Sequence, residues 1–316
     1  MPATMTHQMF ALDIIETLKD TYPMLSEKSH ILMLATQGPD PFFFYRTLPW
    51  QHANDTERIR NIGSKLHHQT PSKHLKALYE KATSSKDDDL IVYMIGAIMH
   101  YILDKYVHPY VFSCSGFSKE GQLDPPYHIY HSHMETLMDV ALKNKHNIHI
   151  KKIHPAKNMK LKKQLLYKID HLYHQSYPEF VTSKDFYKAA KDMYRVYAFV
   201  FDTYSIKRKL IKLLLGKHAH AYAITHPISL KGEEDMDVLN LNHRTWYHTE
   251  TNEASTEDVI MLMNRAKKDM IQIIHDIVNN KIDFFKWTQE INYDGLTQTG
   301  THTYQSSLFS LWRKSQ

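Results

Sequence analysis

Leu90-Ile91-Val92-Tyr93-Met94-Ile95-Gly96-Ala97-Ile98-Met99-His100-Tyr101-Ile102-Leu103-Asp104-Lys105-Tyr106-Val107-His108 is the stretch that decides how this chain folds. Its first ten residues carry no charge, which predicts a helix buried nearly all round. Polar groups at 100 and 104 then need partners inside the protein. At about 100° per residue, positions 100, 104 and 108 drift by only about 40° per step and lie about 6 Å apart along the axis. One helix face thus presents His, Asp and His, ligand types that suit zinc or a similar divalent ion. Pro109 predicts the end of this helix, because its ring opposes the carbonyl four residues back and disfavours helical geometry at His108.

The rest of the composition points the same way. Only nine glycines occur in 316 residues, and apolar residues recur at three- and four-residue spacing with little alternation, so an all-α protein is expected. A 42% hydrophobic content is ample for a sizeable core in one large domain or two. The net charge of +5 is mild for this length and demands neither nucleic acid nor anionic lipid as a partner. The single cysteine, Cys114, excludes an internal disulfide and a thiolate metal cluster, so any metal site is built from nitrogen and oxygen. Met1-Pro2-Ala3-Thr4 lacks the basic and apolar regions of a secretory signal, and Leu90 to Leu103 is short for a membrane span; a cytoplasmic protein is expected.

Along the chain, Thr4 or Thr6 is expected to cap a first helix to about Asp20 that turns His7 inward. Ser29 to Thr36 reads as a short apolar helix, closed by Gly38-Pro39-Asp40-Pro41, where two prolines fix an aspartate beside Phe42-Phe43-Phe44-Tyr45. Thr70-Pro71 opens a helix to about Lys81, and Asp87-Asp88-Asp89 suits the positive end of the central one. After a loop from Ser113 to Pro126, a helix from Tyr127 or His128 to about Asn144 sets His131 and Glu135 one turn apart, with Asp139 a turn further. His128 and His133 fall off that spacing and read as surface or supporting residues. Helical patterns follow from about Leu161 to Gln175, from Ser183 to Leu215, and from the cap-like Ser255-Thr256-Glu257-Asp258 through a last helix to about Asn280. Within the second, Lys207, Arg208, Lys209 and Lys212 alternate with Ile206, Leu210, Ile211 and Leu213, so peripheral contact with an anionic membrane is weighed against a solvated face on a core helix.

Taken together, His7, Asp40, His67, His100-x3-Asp104-x3-His108 and His131-x3-Glu135 supply ligands for two or three metal ions. With these motifs the chain resembles the zinc-dependent phospholipase C family, which shares its helical fold with the fungal zinc nucleases that cut single strands. His131-Ser132-His133-Met134-Glu135 is similar to the family's metal-binding helix, and Thr6-His7, Gly38-Pro39-Asp40, Leu66-His67 and His100 to Asp104 follow its motifs in order. The likeness covers roughly residues 1 to 145, and more loosely Leu239 to Arg244, Trp246 and the last helix, which look like the C-terminal part of bacterial members.

The resemblance implies a single large multi-helix domain over residues 1–316, with 1–145 carrying the ligands and 146–316 completing the core. It implies that His67, His100 and Asp104 hold one zinc, that His108, His131 and Glu135 hold a second, and that His7 and Asp104 help to hold a third. The third site is expected to be altered or empty, because the secreted enzymes complete it with a tryptophan N-terminus and here six residues precede His7. Asp40 would sit at the cluster and act on the attacking water as base or orienting group. His67, His68 and His52 all stand as candidates for the ligand that follows Asp40. The implied activity is metal-dependent hydrolysis of a phospholipid or other phosphodiester to an alcohol and a phosphomonoester, with no specific nucleic acid partner. The alternatives are a nuclease-like phosphodiesterase on the same scaffold and a non-catalytic metal-binding or membrane-associating protein.

Overall fold

In the computed structural model, which describes residues 4–48, 50–51, 54–117, 127–202, 206–215, 226–227 and 236–302, the 90–108 stretch lies inside a 28-residue helix, Asp88–Ser115. Numbered in chain order, the helices are α1 (Thr4–Leu18), α2 (Pro23–Glu27), α3 (Ser29–Ala35), α4 (Thr56–His68), α5 (Pro71–Ser84), α6 (Asp88–Ser115) and α7 (Tyr127–Lys145). They continue as α8 (Pro155–Asn158), α9 (Lys163–Ser176), α10 (Asp185–Val200), α11 (Ile206–Leu215), α12 (Val259–Val278) and α13 (Phe284–Thr288). Strand among the described residues is confined to two short pairs: β1 (Phe201–Asp202) with β2 (His226–Pro227), parallel, and β3 (Trp246–Tyr247) with β4 (Ala254–Ser255), antiparallel. The protein is thus mostly helical.

α6 is the axis of the fold. Asp87 caps it by accepting from the Asp89 amide at 2.9 Å, and Lys28 and Lys168 neutralise the acidic first turn. Nearly every residue from Leu90 to Leu103 is buried, against α1, α3, α5, α7, α9 and α12. One continuous apolar core runs from Met5 to Tyr293 around it. By length and hydropathy α6 also passes as a membrane span, but 83% of its most apolar window is buried within the protein.

Pro109 does not end the helix, contrary to the sequence expectation. An interior proline costs about 3 kcal/mol. The turn beyond it buries Tyr110, Val111, Phe112 and Cys114, and each large apolar side chain withdrawn from water contributes roughly 1.5–3 kcal/mol. Burial therefore wins. The pyrrolidine ring is itself covered by Gly295, whose φ of 78° and missing side chain allow the approach: a Cβ there would lie 2.3 Å from Pro109 Cγ. The helix ends instead at Gly116, with φ 80°.

Other expectations change as well. The pattern from Ser183 to Leu215 is not one helix: the chain leaves α10 at Val200, and the buried Phe201 and Asp202 find backbone partners in His226 and Pro227 before α11 begins. Helix α12 is not the last, since Asp283 caps a further turn, α13, by accepting from Lys286 N at 3.1 Å. Thr70 precedes α5 without capping it through its side chain; its hydroxyl accepts instead from Gln298 Nε2. The loop expected after Ser113 falls mostly outside the described residues.

Nor do Thr4 and Thr6 cap the first helix. The amides of Met5 and Thr6 donate to the carboxylate of Asp139, at 3.0 and 2.6 Å, and the Thr6 hydroxyl donates to it at 2.7 Å. A carboxylate on α7 thereby satisfies donors in the first turn of α1 and fixes His7, one residue on, against α6. Asp139→Ala is expected to strand two buried amides and lower unfolding free energy by about 3 kcal/mol. Urea denaturation measures this.

Candidate metal centre

Five segments bring the ligand-type side chains together. His7 comes from the first turns of α1, Asp40 from the 3-10 turn Asp40–Phe44, and His67 from the last turn of α4. His100, Asp104 and His108 share one face of α6, and His131 and Glu135 lie a turn apart on α7. All eight are buried. Their ligating atoms gather into three groups, each within 4.8 Å: His7 with His100 and Asp104, Asp40 with His67 and His100, and His108 with His131 and Glu135. The grouping differs in detail from the one the resemblance implies, because Asp40 joins His67 and His100, while Asp104 turns to His7.

The contacts within the groups are close. His7 Nε2 stands 3.1 Å from Asp104 Oδ1, His67 Nε2 3.2 Å from Asp40 Oδ1, and His131 Nε2 3.2 Å from Glu135 Oε1. His108 Nε2 lies 3.3 Å from Glu135 and 3.7 Å from Asp104, linking the third group to the first two.

Three imidazoles are oriented through their other nitrogen. Nδ1 of His67 faces the Gly63 carbonyl at 2.8 Å, Nδ1 of His100 the Thr36 carbonyl at 3.1 Å, and Nδ1 of His108 the Tyr293 carbonyl at 2.9 Å. A carbonyl only accepts, so each Nδ1 is the N–H donor, and in the neutral ring each Nε2 turns a lone pair on the carboxylates. Such a pairing is repulsive unless the ring is protonated or a cation lies between. At His100 the ring is neutral: burial, only partly offset by Asp104 and Asp40, brings it down to about 4. Its Nε2 approaches Asp104 Oδ2 to 3.1 Å, yet both atoms are buried with no hydrogen-bond partner among the described residues, as is Asp40 Oδ2. Orphaned acceptors aimed at one another are what a divalent cation would satisfy. The residues present therefore could hold a divalent metal ion.

Elsewhere protons stand in for the cation. Burial works against the charged form of His108, but Asp104, Glu135 and Asp294 overcome it and raise the imidazole to about 10. Burial likewise works against charge on Asp104 and Glu135, and the surrounding histidines hold both carboxyls below their ordinary range.

Gly38 shapes the centre by what it lacks. Its φ is +49°, and a Cβ would lie 2.4 Å from His100 Cδ2, so the Gly38-Pro39-Asp40 turn closes on the imidazole only with glycine there. Of the alternatives to His67, His68 is an exposed side chain 3.7 Å from Asp294, and His52 lies outside the described residues. The side chain of His128 lies outside them too, whereas His133, expected at the surface or in support, is buried. Phe42, Phe44 and Tyr45 are core residues, and Phe43 packs on the centre, 5.2 Å from the His67 ring.

Sequence reasoning missed the turn after α13. Tyr293 packs its ring 4.5 Å from His67 and 5.6 Å from His100, while Asp294 approaches His108 Nδ1 to 3.7 Å. His302, stacked on Phe117 at 4.2 Å, forms part of the aromatic wall whose Phe112 contacts His131 at 4.5 Å. Nothing in the aperiodic tail marked these residues except its aromatic content.

Behind Tyr293, His74 accepts or donates at Nε2 to the tyrosine hydroxyl, 2.9 Å away. Burial, with a smaller push from His67, lowers it to about 3. The unfolded chain therefore takes up this proton first, so stability present above pH 6.5 drains away as pH falls towards 3. Between pH 6.5 and pH 5 the loss is about 2 kcal/mol for this one site. In His74→Phe the difference between the unfolding free energies at the two pH values, measured by urea denaturation, should shrink by that amount.

No known protein family, curated protein or solved structure matches this chain.

Proposed function

We propose that this chain is a divalent-metal-dependent phosphodiesterase of the phospholipase C type, hydrolysing a phosphodiester to an alcohol and a phosphomonoester. The observation that supports this reading is the sharing of His100 between two buried ligand groups, with the third joined to them through His108. A structural metal site needs one closed set of four ligands, whereas adjoining sets held by three-residue groups suit ions that act together on one substrate.

His67, His100 and Asp40, with Asp104 Oδ2 beside His100, would hold one zinc or similar ion, His7 with Asp104 Oδ1 would help to hold a second, and His108, His131 and Glu135 would hold a third. When bound, such ions acidify water towards neutrality and offset the charge that builds on phosphoryl oxygens. The chain's own contribution is orientation and dryness. The carbonyls of Gly63, Thr36 and Tyr293 fix the imidazole planes, and burial in the core excludes competing water. Asp40 has one oxygen on His67 and the other unpartnered and buried, the arrangement of a carboxylate free to orient a nucleophile and receive its proton.

The test is turnover of phosphatidylcholine, other phospholipids, a soluble aryl phosphodiester and single-stranded oligonucleotides at fixed zinc. Release of phosphomonoester from a phospholipid supports the reading. Cleavage of oligonucleotides alone would move it to the nuclease branch, and inertness of the zinc-loaded protein on the whole panel would leave a non-catalytic metal binder.

A further inference from the structure

Five of the six most exposed described apolar side chains, Leu213 (81% exposed), Trp50 (65%), Ile206 (64%), Leu210 (53%) and Phe199 (52%), lie on α10, α11 and the segment at Trp50; the sixth, Phe285 (67%), is on α13. Trp50 packs edge-on against Phe199 at 5.7 Å, and Lys207 ties α11 to the end of α10 by donating to the Phe199 and Phe201 carbonyls. Ile206, Leu210 and Leu213 then follow at four- and three-residue steps, a ridge along the outer side of α11.

The exposed charge that α10 and α11 themselves carry on this face is basic, and Asp55 beside it is paired with Lys188. Both acids of α10, Asp185 and Asp192, are buried and bound to arginines, while Lys191 and Arg195 are exposed. α11 contains no acidic residue, and its Lys209 is exposed. Tyr194 borders an open cleft of about 620 Å³ towards Trp50 and a smaller one of about 190 Å³ towards Lys160 and Lys191, so basic and apolar side chains form a single surface.

We infer that the outer face of α10 and α11, with Trp50, docks this protein onto an anionic phospholipid bilayer. Protruding aliphatic and aromatic side chains enter the interfacial layer while lysines and arginine meet lipid phosphates. A second copy of the chain is a poorer occupant, because two such faces would set like charges against each other. The docking surface does not depend on the phosphodiesterase reading, since it uses none of the metal-centre residues.

The experiment is co-sedimentation of the full chain with vesicles of phosphatidylcholine alone or mixed with phosphatidylglycerol, at low and high salt. It is run on wild type, on Leu210→Asp with Leu213→Asp, and on Lys160→Glu with Lys191→Glu. Each variant is checked for an unchanged melting temperature, and turnover of a soluble phosphodiester is read in parallel to follow the catalytic reading separately. Binding about tenfold tighter to the anionic vesicles, weakened by salt and by either pair of substitutions, is the expected result. Failure to bind, equal binding to both vesicles, or full binding by the folded leucine variant would overturn it. A dimer in lipid-free solution that the leucine pair dissolves would assign the face to self-association instead.

Discussion

Replacing His100 or His131 by alanine is expected to release one equivalent of metal in each case, from two different ions. With Nδ1 donating to the Thr36 carbonyl, His100 has one lone pair and serves one ion, while His131 belongs to the separate group with His108 and Glu135. Elemental analysis of zinc-reconstituted wild type and the two variants decides it. Unchanged metal content in both variants, or a metal-free wild type, would return all eight residues to the status of buried polar core. Chelation should also lower the melting temperature steeply, because each ion present at a thousandfold excess over its Kd stabilises the folded state by about 4 kcal/mol. Stripping leaves Asp40, Asp104 and Glu135 buried together, with protons on histidines as the remaining compensation. Loading must expel the proton from His108, whose imidazole sits near 10 without a cation, so metal uptake should release protons and weaken as pH falls.

The second large effect is expected at Asp40. Asp40→Asn keeps the size of the side chain and an oxygen for His67 but cannot accept a proton from a nucleophile. Turnover should fall by about a thousandfold, the scale of losing a positioned general base. No more than one equivalent of metal should leave, since Asp40 belongs to a single ligand group. Steady-state kinetics on a soluble phosphodiester, with metal content measured on the same preparation, separates the two consequences. A variant that holds its metal and still turns over normally would remove Asp40 from the chemistry and leave it as a supporting carboxylate.

His100, Asp104 and His108 were legible in the sequence because a helix repeats locally: four residues return a side chain to nearly the same face whatever surrounds it. The same holds for His131 and Glu135, and the uncharged run from Leu90 to Met99 marks the buried axis without knowledge of its neighbours. His67 was only one of three candidates, and its choice over His68 rests on which side of α4 meets Asp40 and Tyr293. The turn at Tyr293 and Asp294 was invisible because no spacing links it to His108, 185 residues earlier.

By itself the sequence determined a mostly helical chain with nitrogen and oxygen ligands at one-turn spacing, since both follow from short-range periodicity and side-chain chemistry. Tertiary structure alone decided that α6 continues past Pro109, that Asp139 fastens the first turn of α1, and how eight side chains divide into three groups. Each of these depends on contacts between distant segments, where burial or a charge-assisted hydrogen bond outweighs the local preference of the backbone.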